Sequence, residues 1–123
     1  MTDTSPSTSP TDPLALSKSI QDRYRNVSLA TVNDHEIRMS VMTERFGWHR
    51  HPDSDETFLC VDGELVIEFE DGEVAVAPGQ LVTVPADTLH RTRPGAARSV
   101  NLTFERKDAT TLFEEPRTAS ASG

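Results

Sequence analysis

Between Val27 and Phe104, apolar and polar residues alternate with a period of two in one run after another. In "EIRMSVM", Ile37, Met39 and Val41 share one face, with Arg38 and Ser40 on the other. In "ELVIEFE", Leu65, Ile67 and Phe69 alternate with Glu64, Glu68 and Glu70. "EVAVA" and "QLVTV" follow, and "SVNLTFE" sets Val100, Leu102 and Phe104 against Asn101 and Thr103. Successive side chains of a strand point to opposite faces, so each run predicts a strand with one buried side. Turn chemistry separates the runs at Asn33-Asp34, Asp62-Gly63, Asp71-Gly72, Pro78-Gly79 and Pro94-Gly95. Glycine in these pairs accepts the positive φ that tight hairpin turns require. Many short strands with such spacing predict an all-β antiparallel sandwich or barrel.

A chain of 123 residues is the length of one domain and can bury an apolar core without disulfide staples. The single cysteine, Cys60, excludes an internal disulfide framework and a zinc site made of cysteines alone, and it fits a reducing, cytoplasmic compartment. Residues 1–12 are Ser, Thr, Pro and Asp with almost nothing apolar and read as a disordered tail, and residues 116–123, ending in "TASASG", read the same way. Between them and the strands, residues 13–26 read as one helix, capped by Asp12, opened by Pro13, with Leu16, Ile20 and Tyr24 at helical spacing. The barrel is expected over 27–115. "MTDTSPSTSPTDP" carries acids and prolines where a signal peptide would be basic and then apolar, and no stretch approaches the roughly 20 apolar residues of a membrane span. A net charge of −8 repels phosphate backbones and argues against nucleic acid as a partner.

The stretch "WHRHPDSDETFLCVDG" holds two of the four histidines, His49 and His51. In an extended strand the one residue between them puts both imidazoles on the same face, roughly 6–7 Å apart. "PDSD" reads as a short turn, and Glu56 opens the next strand, in phase with Phe58 and Cys60. If that turn folds the second strand back beside the first, the Glu56 carboxylate reaches both histidines. His90 opens a further strand after Pro85. Taken singly, each has a plain reading: a surface charge cluster for His49 and His51, a turn acid for Glu56, a loop residue for His90. Taken together, three imidazoles and a carboxylate in an all-β chain suit a divalent transition metal such as zinc, manganese, iron or nickel. "DSDE" lacks the ligand spacing and central glycine of a calcium loop. Arg45, Arg50, Arg91, Arg93 and Arg98 stand near these histidines in sequence, as scattered surface pairing or as a positive rim for an anionic small molecule.

Gly47, His49, His51, Glu56 and Gly63 stand at the positions of the first cupin motif, in which a glycine precedes His-x-His, a glutamate and a second glycine; only the leading gap is shorter. Gly79, Pro85 and His90 match the second motif, from which Asp87 and Pro94 depart in place of a glycine and an asparagine. From Val32 to about Phe104 the chain therefore resembles the cupin superfamily, most closely its small single-domain members grouped loosely with mannose-6-phosphate isomerases. The resemblance implies a jelly-roll barrel (a double-stranded β-helix), His49, His51, Glu56 and His90 as metal ligands inside it, and a homodimer. Asp87 is then expected in an unusual backbone conformation, because it replaces a glycine.

Two functions remain open at this stage. One is a metal-dependent isomerase, lyase or oxygenase acting on a small polar or anionic metabolite. The other is a metal- or small-ligand-binding or sensing cupin without turnover. Phe58, Cys60, Met39 and Val41 fall on faces expected to line the barrel, where plain core packing accounts for them. No second glutamate, tyrosine or lysine stands out as a general base, and Tyr24 falls in the expected helix.

Overall fold

The computed structural model describes residues 8–117, in which one short helix precedes eight strands. The helix is α1, Pro13–Ser17; the strands are β1 (Tyr24–Val32), β2 (His35–Met42), β3 (Phe46–Arg50), β4 (Glu56–Phe69), β5 (Gly72–Val76), β6 (Leu81–Val84), β7 (His90–Arg106) and β8 (Leu112–Phe113). Every pairing is antiparallel. The tails expected at 1–12 and 116–123 fall largely outside the described residues.

Strands β4 and β7 are long enough to run through both layers of the fold. Their halves Thr57–Gly63 and Ser99–Phe104 pair with each other, flanked by β6 on one side and by β2 and then β1 on the other. Their other halves, Leu65–Phe69 and His90–Pro94, pair again, flanked by β5 on one side and by β3 and then β8 on the other. The result is two five-stranded layers joined through two shared bent strands: the all-β architecture expected from the alternation, in the jelly-roll form that the family resemblance implied.

The bend corrects two expected turns. Asp62-Gly63 and Pro94-Gly95 lie inside β4 and β7, where the register slips between Cys60 and Asp62 and again between Gly63 and Leu65. Such bulges bend a strand and raise its local twist, which lets one strand serve two layers. Gly63 has φ +74°, and a Cβ there would sit 2.0 Å from the Arg98 carbonyl oxygen. The turns at Asn33-Asp34, Asp71-Gly72 and Pro78-Gly79 do connect hairpins or neighbouring strands, with Asn33 at φ 56°.

The helix is also shorter than expected, ending at Ser17 instead of residue 26. Asp12 caps its start through the Ala15 amide, and Arg98 Nη2 donates to the Ser17 and Ile20 carbonyls beyond its end. Tyr24 and Asn26 are claimed by β1, where the Tyr24 hydroxyl and Asn26 Nδ2 both reach Ser40 Oγ, at 3.2 and 2.8 Å. Pairing with β2 outweighs helical spacing there, as tertiary contacts do with weak local propensity.

Strand parity sorts the core into two clusters. Met42, Phe58, Cys60, Leu65, Ile67, Val76 and Val84 fill the space between the layers. Met39, Val41, Val100 and Leu102 pack with Ile20 on the opposite face of the first layer. Met39 and Val41, expected to line the barrel, therefore point away from it, and their polar neighbours Arg38 and Ser40 face inward.

Candidate metal centre

His49 and His90 are cross-strand partners of β3 and β7, and their rings stand 4.3 Å apart, centroid to centroid. His51 follows two residues later, just past the end of β3, with its ring 4.9 Å from that of His49. Glu56 begins β4, which pairs with β5, β6 and β7 and not with β3. Its carboxylate therefore reaches the histidines across the interior, not from a strand folded back beside theirs. All four residues are buried, and one ligand atom from each lies within 4.8 Å of all the others.

Each imidazole is turned by its other nitrogen. His49 Nδ1 donates to the Gly47 carbonyl at 2.8 Å, His51 Nδ1 to that of Thr110 at 3.0 Å, and His90 Nδ1 to that of Thr88 at 2.8 Å. A ring whose Nδ1 holds a proton in this way presents a bare Nε2 lone pair when neutral, the arrangement by which a second shell aims histidines at a metal. The Nε2 atoms of His90 and His51 stand 3.1 and 3.2 Å from Glu56 Oε1. Neutral rings would set lone pair against lone pair there, so the cluster needs a positive charge, either a proton or an ion. Donors about 2.1 Å from an octahedral ion are about 3 Å apart, which matches those edges. His51 Nε2 is moreover a buried nitrogen without an aligned hydrogen-bond partner. The four residues fit a divalent transition ion.

The acids of "PDSD", read as turn residues, anchor this frame. Asp53 accepts hydrogen bonds from the Thr110 amide and hydroxyl, both at 2.9 Å, and so holds the carbonyl that orients His51. Asp55 accepts from the Ala86 amide at 2.8 Å, in the turn leading to His90. Asp87 sits in that turn at φ 65°, as its replacement of a glycine led us to expect, and donates its amide to the His51 carbonyl at 2.8 Å.

Residues 35–98 match the cupin domain family model (Cupin_2), just over half of the chain. The chain belongs to the cupin family. An uncharacterized protein of Bacillus subtilis, YdbB, is 43% identical to this cupin over 103 residues, covering 83% of this chain and 90% of its own. Among solved structures, a cupin-2 domain containing protein from Shewanella frigidimarina has a TM-score of 0.73 at 21% identity, over 79% of this chain and 94% of that one. The DMSP lyase DddQ from Ruegeria pomeroyi has a TM-score of 0.66 at 20% identity, over 80% of this chain and 55% of that one. These two likenesses show the fold.

The cupin interior opens as a cavity of about 280 Å³ lined by the three motif residues His49, His51 and Glu56, with Phe46 and Phe58 as its aromatic wall. Two titratable groups that strand reading passed over also line it. Tyr24 belongs to β1 rather than to a helix, and Glu105 lies on β7 in phase with Asn101 and Thr103. Parity was the available signal: the polar face of "SVNLTFE" is the lining, and the apolar face is the outer core. Glu105 Oε2 is buried without a hydrogen-bond partner, 3.7 Å from His51 Nε2. The five arginines of the expected rim do not line the cavity. Arg45, Arg91 and Arg93 pair with Glu68, Arg50 with Asp87 and Glu114, and Arg98 with backbone carbonyls.

Burial and neighbouring charge divide the titrating groups. Burial, reinforced by the neighbouring His90, takes His49 down to about 4. Burial opposes the charge of His51 too, but the Glu56 and Glu105 carboxylates together outweigh it and push His51 up to about 9. Glu56 is held low despite its burial, because His51 and His90 face it. Burial and the charge of Glu56 raise Glu105 well above the usual carboxylate range.

Proposed function

We propose that this cupin binds one divalent transition ion through His49, His51, Glu56 and His90 and acts on a small polar or anionic metabolite, as an isomerase, lyase or oxygenase. The observation that carries the reading is the convergence of three Nδ1-anchored imidazoles and one buried carboxylate beside a cavity that His49, His51 and Glu56 line. A bound ion would polarise a substrate oxygen or acidify a bound water. The protein's own part is to hold the rings in one tautomer, to exclude bulk water, and to offer Glu105 and Tyr24 as groups that can exchange a proton with a bound molecule. These two residues favour turnover over the non-catalytic binding alternative. The DMSP lyase DddQ, which shares the fold, supports a lyase as one of the reaction types.

The ion competes with the His51 proton, which fixes the pH dependence. His51 titrates near 9 when folded and near 6.5 ordinarily, so its stabilisation of the metal-free protein is complete below about 6.5 and is lost as pH rises through about 9. A metal needs the neutral ring, so its affinity rises over the same interval. Calorimetric titration of metal-stripped protein with Zn²⁺ at pH 7.5, repeated in buffers of different ionisation enthalpy, should therefore show about one site and the release of about one proton. Absence of saturable binding would contradict the metal reading, and binding without proton release would contradict the state assigned to His51.

The buried free thiol of Cys60 supports a cytoplasmic location, and among the described residues no helix is long and apolar enough to cross a membrane. Half-buried Leu29, Ile37, Leu59, Val61 and Phe104 around the outer cluster support a homodimer built on that face. Sedimentation at the mass of one chain would contradict the dimer.

A further inference from the structure

The wall of the cavity contributed by β1 and β2 is built around a single cation. Arg38 is the one arginine among the lining residues, and no lysine accompanies it. Its neighbours hold the guanidinium in place. Nε donates to Asn26 Oδ1, Asn26 Nδ2 donates to Ser40 Oγ at 2.8 Å, and the Tyr24 hydroxyl reaches the same Ser40 oxygen at 3.2 Å. Nη1 donates to Glu36 Oε1 at 2.8 Å, while Glu36 Oε2 accepts from Ser28 at 2.8 Å. Among the described residues these contacts use Nε and Nη1 and leave the Nη2 side of the fork for a further acceptor. The Arg38 side chain retains 33% of its exposure, so it is neither sealed in the core nor free in solvent. A guanidinium fixed by a relay of three polar residues loses little rotamer freedom on meeting an anion, which is what makes such a fork a strong carboxylate receptor.

We infer that Arg38 binds the carboxylate of the substrate, and that the substrate of this pocket is a small hydroxy- or oxo-carboxylate whose other oxygens face the Glu56 and histidine end. The inference rests on the metal reading above and narrows its substrate class. Two observations agree with it. Asn101, Thr103 and Glu105 continue the polar lining, and an apolar ligand would strand such groups without partners. The cavity of about 280 Å³ lies at the small end of ligand sites.

The test uses full-length protein loaded with Co²⁺, whose visible absorption reports ligands entering the site, with calorimetry for affinity. The probes are glycolate, erythronate and threonate, each set beside its neutral counterpart: ethylene glycol, erythritol and threitol. At least one carboxylate should bind about tenfold or more tightly than its counterpart, Arg38→Gln should erase that preference, and Arg38→Lys should keep part of it. Co²⁺ content should be the same in all three proteins. If Arg38→Gln fails to fold, Asn26→Ala, which releases the guanidinium from its anchor, should weaken the carboxylate several-fold at unchanged Co²⁺ content. Neutral probes binding as tightly as carboxylates, no carboxylate binding to the loaded protein, or undiminished binding by Arg38→Gln would each overturn the inference. Cobalt content on the same samples separates the two readings. A protein that takes up no Co²⁺ contradicts the metal reading, while carboxylate-dependent stabilisation of that protein, lost in Arg38→Gln, would still support the subsite.

Discussion

Replacing His49 by alanine should reduce the metal content of purified protein from about one equivalent per chain to a small fraction of that, with affinity falling about 100-fold or more. His49 stands at the centre of the cluster: its ring lies 4.3 Å from that of His90 and 4.9 Å from that of His51, and burial keeps it neutral and ready to ligate. Alanine there removes one donor of four and leaves the remaining three around a gap. His35→Ala is the matched control. That histidine is exposed at the end of the β1–β2 hairpin, its Nδ1 2.8 Å from Asp34, and its loss should leave metal content unchanged. Elemental analysis of the two variants beside the parent decides the matter, and equal loss in both would contradict the assignment of His49.

Gly63→Ala should be the most destabilising small substitution in the barrel. The added Cβ would meet the Arg98 carbonyl oxygen at 2.0 Å, a backbone atom that cannot swing aside, and φ +74° is itself unfavourable for any residue with a side chain. Strain and overpacking together should cost about 3 kcal/mol or more, which lowers the Tm by about 10 °C or more in a domain of this size. Gly47→Ala is the contrast, because no heavy atom lies within 4 Å of its Cβ position and its φ is not positive. Thermal denaturation of the two variants measures the difference. A Gly63→Ala protein as stable as Gly47→Ala would mean that the bulge in β4 is not what joins the layers.

The same glycine shows what was legible in the sequence and what was not. Alternation announced the strands and an antiparallel sandwich or barrel, the cupin motifs implied the jelly roll, and the spacing of His49, His51, Glu56 and His90 announced residues whose ligand atoms the fold brings within 4.8 Å of one another. Asp62-Gly63 carries the local chemistry of a turn, yet its partner strand continues opposite it, so the same positive φ makes a bulge. No local pattern distinguishes the two, because the decision lies with β7, more than 30 residues away. Arg38 and Glu105 were hidden by a second ambiguity. Period two separates two faces without saying which one points inward, and the apolar face of β2 packs on an outer cluster beneath Ile20. The polar face was therefore the lining, which inverts the usual rule that the apolar side of a strand is the inside. Asp53 was equally silent, since its partner Thr110 lies 57 positions further along the chain.

The most direct measurement is the anomalous difference density of crystals grown from protein purified without added metal, collected on both sides of the absorption edge of the metal found by elemental analysis. One peak is expected per chain, within about 2.0–2.2 Å of the Nε2 atoms of His49, His51 and His90 and of a Glu56 carboxylate oxygen. A peak elsewhere, or no peak after soaking with Zn²⁺, Mn²⁺ and Ni²⁺, would contradict the metal centre.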